Sequence, residues 1–210
     1  MAKDTDADTI ESFKQAIRIN PDYAKAHIGL GVAYGYLDKL KESKEAFKQA
    51  IEAYKQVIRV NPDDAEAYIN LGVAYFTSGM NKEAIASYKQ AIRINLGNAD
   101  AHYGLGRAYS GLNMHNDAIR AYKQAIKINP DYTETHNGFG FVYDKLGMHK
   151  EAIEAYKQAI RMNPDYVKAH FNLGYASVFS EDRGGALEQY EILKSLDSEL
   201  ATALLELINK

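Results

Sequence analysis

The chain has 210 residues, 46% of them hydrophobic, which is enough for an ordinary core and excludes disorder on composition. Its 25 Lys and Arg against 28 Asp and Glu leave a formal charge of -3 spread without basic blocks, which argues against nucleic acid as a partner. The absence of cysteine removes disulfides, thiolate catalysis and zinc-thiolate sites, and no apolar run approaches the roughly 20 residues that cross a bilayer. The polar, acidic start from Met1 to Thr9 is unlike a signal peptide. A soluble, cytoplasmic protein without membrane insertion is the expectation.

The first predicted element, Ile10 to Ile17, reads as the second helix of a pair whose first helix is missing, pointing to a truncated or unusual start. Its apolar face, Ile10, Phe13 and Ile17, is expected to be covered by another chain. A helix from Ala24 follows, and then a local duplication: Glu45 to Ile51 is followed at once by the similar heptad Glu52 to Ile58. Seven residues return nearly to the same helix face, so the apolar stripe survives, and continuous helix is expected from about Lys44 to Val60. Shared between the two helices of a hairpin, the insertion predicts about one extra turn, or ~5 Å, in each. The turn then falls near Lys41 to Ser43, with Leu37, Leu40 and Phe47 closing the hairpin.

From Asn61 onward the chain repeats itself. Gly72 recurs as Gly106, Gly140 and Gly174, a step of 34 residues, and Asn61-Pro62-Asp63 recurs as Asn129-Pro130-Asp131 and Asn163-Pro164-Asp165. Each period holds two helical patterns, such as Ala67, Leu71, Ala74 and Tyr75, then Ala84, Ile85, Tyr88, Ala91 and Ile92. Gly79 and Gly147 suit a left-handed residue between the two helices, with Asn113 and Asp38 as substitutes. Asp63 with Glu66, and Asp131 with Glu134, have capping-box spacing. Gly184-Gly185 is expected to be the last hairpin turn, and Leu200, Leu204, Leu207 and Ile208 form the apolar stripe of a solvating cap helix after Asp197-Ser198, as at a natural C-terminus.

No chemistry emerges from these patterns. His102, His136 and His170 share one repeat position, and a stacking step of about 8–10 Å sets them too far apart to share a metal. They read as half-buried rings replacing an aromatic, and His115 and His149 as solvated turn residues. Asp63 with Asp64, and Glu151 with Glu154, have helix-terminus or solvated-helix explanations. The expectation is no catalytic residue, no metal, no cofactor and no enzyme activity.

Tyr68, Leu71-Gly72, Tyr75, Ala84, Tyr88, Ala91 and, one period earlier, Pro62 together resemble the tetratricopeptide repeat family. The resemblance spans roughly residues 20 to 196; it departs at Leu96, at Ser177, and at His27, His102, His136 and His170. It implies an all-α fold, a right-handed superhelical solenoid of antiparallel helix pairs. A partial repeat over 1–19 would precede five repeats over 20–196, the first seven residues longer, and a capping helix over 197–210.

The family's ligand-contacting positions, carried onto this chain, give a groove lining of Ile28, Val32, Tyr36, Ile69, Val73, Phe76, Tyr103, Phe141, Phe171, Tyr175 and Phe179, with Asn70, Arg107, Asn137 and Asn172 as its polar members. The implied function is an interaction module that holds a peptide segment or partner helix in an apolar concave groove. The family's carboxylate clamp for acidic chaperone tails is matched only at Asn70. Its asparagine ladder is matched at Asn70 and Asn172 but interrupted by Gly29, Gly104 and Gly138. Glu66, Asp100 and Glu134 form an acidic row, so the implied partner is a neutral or basic protein or peptide. Two alternatives stay open: a scaffold that self-assembles through its chain ends, or the substrate-recruiting part of a larger enzyme such as a peptide-glycosylating transferase.

Overall fold

The computed structural model describes residues 2–20 and 23–209, with side chains from residue 8 onward. Met1, Pro21, Asp22 and Lys210 lie outside the described residues, and with them the outermost residue of each predicted terminal segment. Among the described residues there are twelve α-helices and no strand: α1 (Ala2–Ile19), α2 (Ala24–Tyr36), α3 (Leu40–Val60), α4 (Ala65–Thr77), α5 (Asn81–Ile94), α6 (Ala99–Gly111), α7 (His115–Ile128), α8 (Thr133–Lys145), α9 (His149–Met162), α10 (Val167–Phe179), α11 (Arg183–Leu196) and α12 (Ser198–Ile208). They fall into two units, Met1–Ala108 and Tyr109–Lys210. Within each unit every helix packs on the next in chain order, α1 through α5 in the first and α7 through α12 in the second. No helix among the described residues is long and apolar enough to cross a membrane.

The packing rule is small against large. A Cβ on Gly72 would lie 2.7 Å from the Tyr88 ring, and one on Gly104 would lie 2.4 Å from the same ring. Tyr88, 3% exposed, is thus pressed between the first helices of two successive repeats, and both approaches require the absence of a side chain. Alanines close the rest of the seam: Ala74, Ala84 and Ala91 are fully buried. In the second unit Tyr156 stands on Gly140 in the same way.

The turns follow local backbone chemistry. Gly79, Gly147, Asn113 and Asp38 all take the left-handed conformation expected of them. The last hairpin is a correction: Glu181 is the left-handed residue, and Gly184 and Gly185 lie inside α11. Asp182 caps that helix by accepting from the Gly185 N–H at 2.9 Å, which draws both glycines into its first turn. The capping boxes are corrected too. Asp64, not Asp63, caps α4, accepting from Ala67 N–H at 2.8 Å, and Asn98 does the same for Ala101 at 2.9 Å. The same repeat position holds Tyr132 and Tyr166, so α8 and α10 have no side-chain cap. In two of the Asn-Pro-Asp segments the Asn instead folds the turn: Asn129 and Asn163 accept from the Asp131 and Asp165 N–H groups at 3.2 Å. Asn95 does this for Gly97 at 3.0 Å, and the turn forms there with Leu96 in place of proline.

The inserted heptad is helical throughout, but its length is not shared. α2 has the 13 residues of the other first helices, whereas α3 has 21 against 14 for α5. Phe47 stands on Gly31 (2.9 Å to a Cβ there) and the Ser43 hydroxyl donates to Gly31 O at 2.7 Å. This pairing sets the hairpin in regular register from its turn at Leu37–Lys39, so all seven extra residues extend the far end of α3. Leu40, 64% exposed, does not help close the hairpin, although Leu37 packs against its core.

The ends also differ from expectation in one respect. Ile10 is buried together with Leu30 and Ala46, and Phe13 and Ile17 pack against the same cluster. The apolar face of α1 is therefore covered by its own chain. At the other end, Leu204 and Ile208 of α12 are buried with Ala186 and Leu193, capping the last pair as expected, and Asp197 caps α12 through the Glu199 and Leu200 N–H groups.

Three core tyrosines carry a pH signature. Burial first, then neighbouring negative charge, pushes Tyr54 up to about 12; burial also raises Tyr88 and Tyr156 above the ordinary tyrosine range. Their folded state favours the neutral phenol, so stability is intact below pH about 10, where unfolded tyrosine ionises. Each should cost about 1.4 kcal/mol per pH unit above that until its own folded pKa is passed. Urea unfolding between pH 9 and 11 should show this loss, and Tyr88→Phe should shallow the slope by one tyrosine's share. A flat profile would contradict it.

Candidate functional site

All fifteen predicted lining residues lie on the first helix of a pair, and none of them is buried. In the first unit α2 carries Ile28, Val32 and Tyr36, α4 carries Ile69, Asn70, Val73 and Phe76, and α6 carries Tyr103 and Arg107. Val32 and Tyr36 are 37% and 84% exposed, an unusual state for apolar and aromatic side chains beside a well-packed seam. Arg107 lies over Phe76 at 4.3 Å and over Tyr103 at 5.6 Å, so its guanidinium rests against two rings. Ile28 differs from its neighbours, being packed against the Ala50, Ile51 and Tyr54 core.

In the second unit α8 carries Asn137 and Phe141, and α10 carries Phe171, Asn172, Tyr175 and Phe179. The Asn172 amide donates to the Asn137 carbonyl oxygen at 3.0 Å, so the two side chains of successive first helices are bonded to each other. Phe141 and Phe179 are 42% and 51% exposed; Lys145 sits over Phe141 at 5.1 Å, and Tyr175 meets Phe179 at 4.6 Å. Phe171 packs against the cap core formed with α12.

The glycines that interrupt the asparagine ladder have a steric cause. A Cβ at Gly29 would lie 2.3 Å from the Phe13 ring, and one at Gly138 would lie 3.0 Å from Tyr122, as Gly104 does against Tyr88. The aromatic of the preceding second helix occupies the space an asparagine would need.

The shared-position histidines are structural. The Nε2–H of His136 and of His170 donates to the carbonyls of Pro130 and Pro164, at 2.8 and 2.7 Å, and His102 reaches Leu96 O at 3.3 Å. Each ties its helix to the loop before it. No group of three or more His, Asp or Glu able to hold a metal occurs among the described residues.

One polar constellation escaped sequence reasoning. Asp144, its side chain only 9% exposed, accepts from the Tyr156 hydroxyl at 2.8 Å and from His149 Nδ1 at 2.9 Å, and His149 stacks on Phe179 at 5.6 Å. His149 is therefore not a solvated turn residue: it links a buried carboxylate to an exposed ring. The corresponding positions hold Gly35, Phe76, Ser110 and Val178, so no periodicity flagged Asp144.

Two wider depressions lie elsewhere, about 700 Å³ over His27 and Leu30 beside α1 and α3, and about 530 Å³ over His136 and Phe139 beside Lys123 and Glu154. None of the fifteen lining residues borders them.

Comparison with known proteins agrees with this architecture. A TPR repeat model matches residues 7–37, 43–79, 74–113 and 145–177, and tetratricopeptide repeat models match residues 24–56 and 99–132. No curated protein matches. Among solved structures, MamA is 31% identical, covering 79% of this chain and 92% of that one with a TM-score of 0.65. YrrB, described as a TPR protein with an unusual peptide-binding site, is 25% identical over 94% of this chain and 99% of its own, with a TM-score of 0.61. TTC0263, a thermophilic TPR protein from Thermus thermophilus, shares the fold at 21% identity and a TM-score of 0.70, over 89% of this chain and 100% of that one. With repeat models covering more than half of its residues, on helix pairs that stack as these do, the chain belongs to the tetratricopeptide repeat family.

Proposed function

We propose that this protein-interaction scaffold holds a peptide segment, neutral or basic in character, against the apolar and aromatic faces of its first helices. The observation that carries the reading is the exposure of Val32, Tyr36, Phe141 and Phe179 on those faces, beside a seam where neighbouring apolar residues are buried. Asparagine amides and the Arg107 guanidinium supply the few polar groups that fix the direction of a bound backbone. The exposed acidic residues Glu66, Asp100 and Glu134 at helix starts disfavour an acidic ligand. The likeness to YrrB supports a peptide ligand in preference to a bulkier one.

The test is selection of a displayed peptide library on the wild-type protein, followed by calorimetry of the enriched peptides. The double variant Phe141→Ser, Phe179→Ser, both within the second unit, should weaken binding by about tenfold or more, since exposed aromatics anchor interfaces. It should cost no more than about 1 kcal/mol of stability, because both side chains are already exposed. Retained binding in a folded double variant would place the interaction on another surface.

A further inference from the structure

The repeat does not require the Asp144–His149 pair in order to fold. His115 holds the same repeat position as His149, one repeat earlier, with Ser110 where Asp144 stands, and α7 starts at His115 as α9 starts at His149. The Nδ1 of His115 is buried without a partner among the described residues, so a helix of this kind starts with no carboxylate beside it. At His149 the carboxylate is present and fixes the ring. A carboxylate only accepts, so the 2.9 Å contact with Asp144 assigns the proton to Nδ1, and in the neutral imidazole Nε2 is then an acceptor.

That acceptor lies beside the candidate site. The His149 side chain is 23% exposed, and with Nδ1 turned to Asp144 its Nε2 has no hydrogen-bond partner among the described residues and is not buried. The ring stacks on Phe179 at 5.6 Å, and Phe179, 51% exposed, meets Tyr175 at 4.6 Å. His149 thus continues the row of aromatic side chains from α10 onto the start of α9. The 5.6 Å between the rings is less than two residues of extended chain at about 3.3 Å each. A segment that rests an apolar side chain on Phe179 therefore brings its own backbone N–H groups within reach of Nε2. Lys145, over Phe141, offers only donors, and Asn137 and Asn172 are bonded to each other, so His149 adds an acceptor where an extended backbone needs one.

We propose that His149 is a specificity-determining residue of the peptide site, its Nε2 accepting a hydrogen bond from one backbone N–H of the bound segment, with Asp144 as the positioning residue that fixes its tautomer. This rests on the peptide-binding reading above. The test uses the full chain and a peptide enriched from the displayed library. Imidazole nitrogen NMR at about pH 8, where imidazole is ordinarily neutral, should show His149 in the Nδ1–H form in the free chain and a change at Nε2 on saturation with the peptide. Asp144→Ser in a Tyr156→Phe background, which strands no hydroxyl, should populate both tautomers. Replacing the peptide's amides one at a time by esters should find a position at which the wild type binds about threefold to tenfold more weakly, the effect of one hydrogen bond. His149→Asn, whose amide can still donate to Asp144, should lose that sensitivity while keeping a cooperative melting transition. An Nε2–H form in the free chain, an Nε2 indifferent to saturating peptide, a tautomer unchanged without Asp144, or the same ester effects in wild type and His149→Asn would overturn the proposal. Such a result with peptides that do bind leaves the peptide site standing without His149, whereas a library that yields no binder removes both readings.

Discussion

Tyr88→Ala is expected to destabilise the first unit by about 3–5 kcal/mol, the range for deleting a large, well-packed aromatic. The ring touches Gly72 of its own hairpin and Gly104 of the next, so one deletion opens both the intra-repeat and the inter-repeat contact. Neither helix carries a side chain there that can swing into the void. Tyr88→Phe, which keeps the ring, should retain most of the stability, and Gly104→Ala should cost about 1–3 kcal/mol by overpacking the same contact from the other side. Urea unfolding measures the loss, and amide exchange should show α4 to α6 opening first. Equal stability of Tyr88→Ala and wild type would mean that the ring is not the wedge that holds the two repeats together.

In the second unit Asp144→Ala is expected to cost about 2–4 kcal/mol. The carboxylate is nearly buried and serves two donors, so its removal strands the Tyr156 hydroxyl in a fully buried position and frees His149 from its seat. Tyr156→Phe combined with Asp144→Ala should recover part of the loss by removing the stranded hydroxyl. A double-mutant cycle should give a coupling of about 1–2 kcal/mol between the two positions. Additive effects would show that the 2.8 Å contact contributes nothing to the fold.

These two sites mark what the sequence does and does not disclose. Repeat step, helix pairing and the left-handed turn residues were readable because they depend on local backbone chemistry and on periodic apolar positions. The Gly72–Tyr88 contact belongs to that class. Asp144 does not: it is a single departure from the repeat, and its meaning depends on a partner in another helix that no spacing announces. The capping error at Asp63 has a similar origin, since the residue with the right chemistry one place later, Asp64, is the one the backbone positions. The heptad was visible as a duplication. Which helix absorbed it was decided by Phe47 meeting Gly31, a contact between helices.

The undivided lengthening of α3 bears on the shape of any ligand. α2 is in register with Phe47 and α4 with Tyr54, seven residues further along the same helix, a displacement of about 10 Å at 1.5 Å per residue. The faces of α2 and α4 are therefore offset sideways by nearly the width of a helix. A straight helical partner, about 10–12 Å across, that rests on one of these faces overhangs the other. An extended strand at about 3.3 Å per residue crosses the same step by spending some three residues on it. A peptide bound as proposed above would therefore carry two sequence determinants separated by a short spacer of arbitrary composition, in place of one continuous amphipathic stripe.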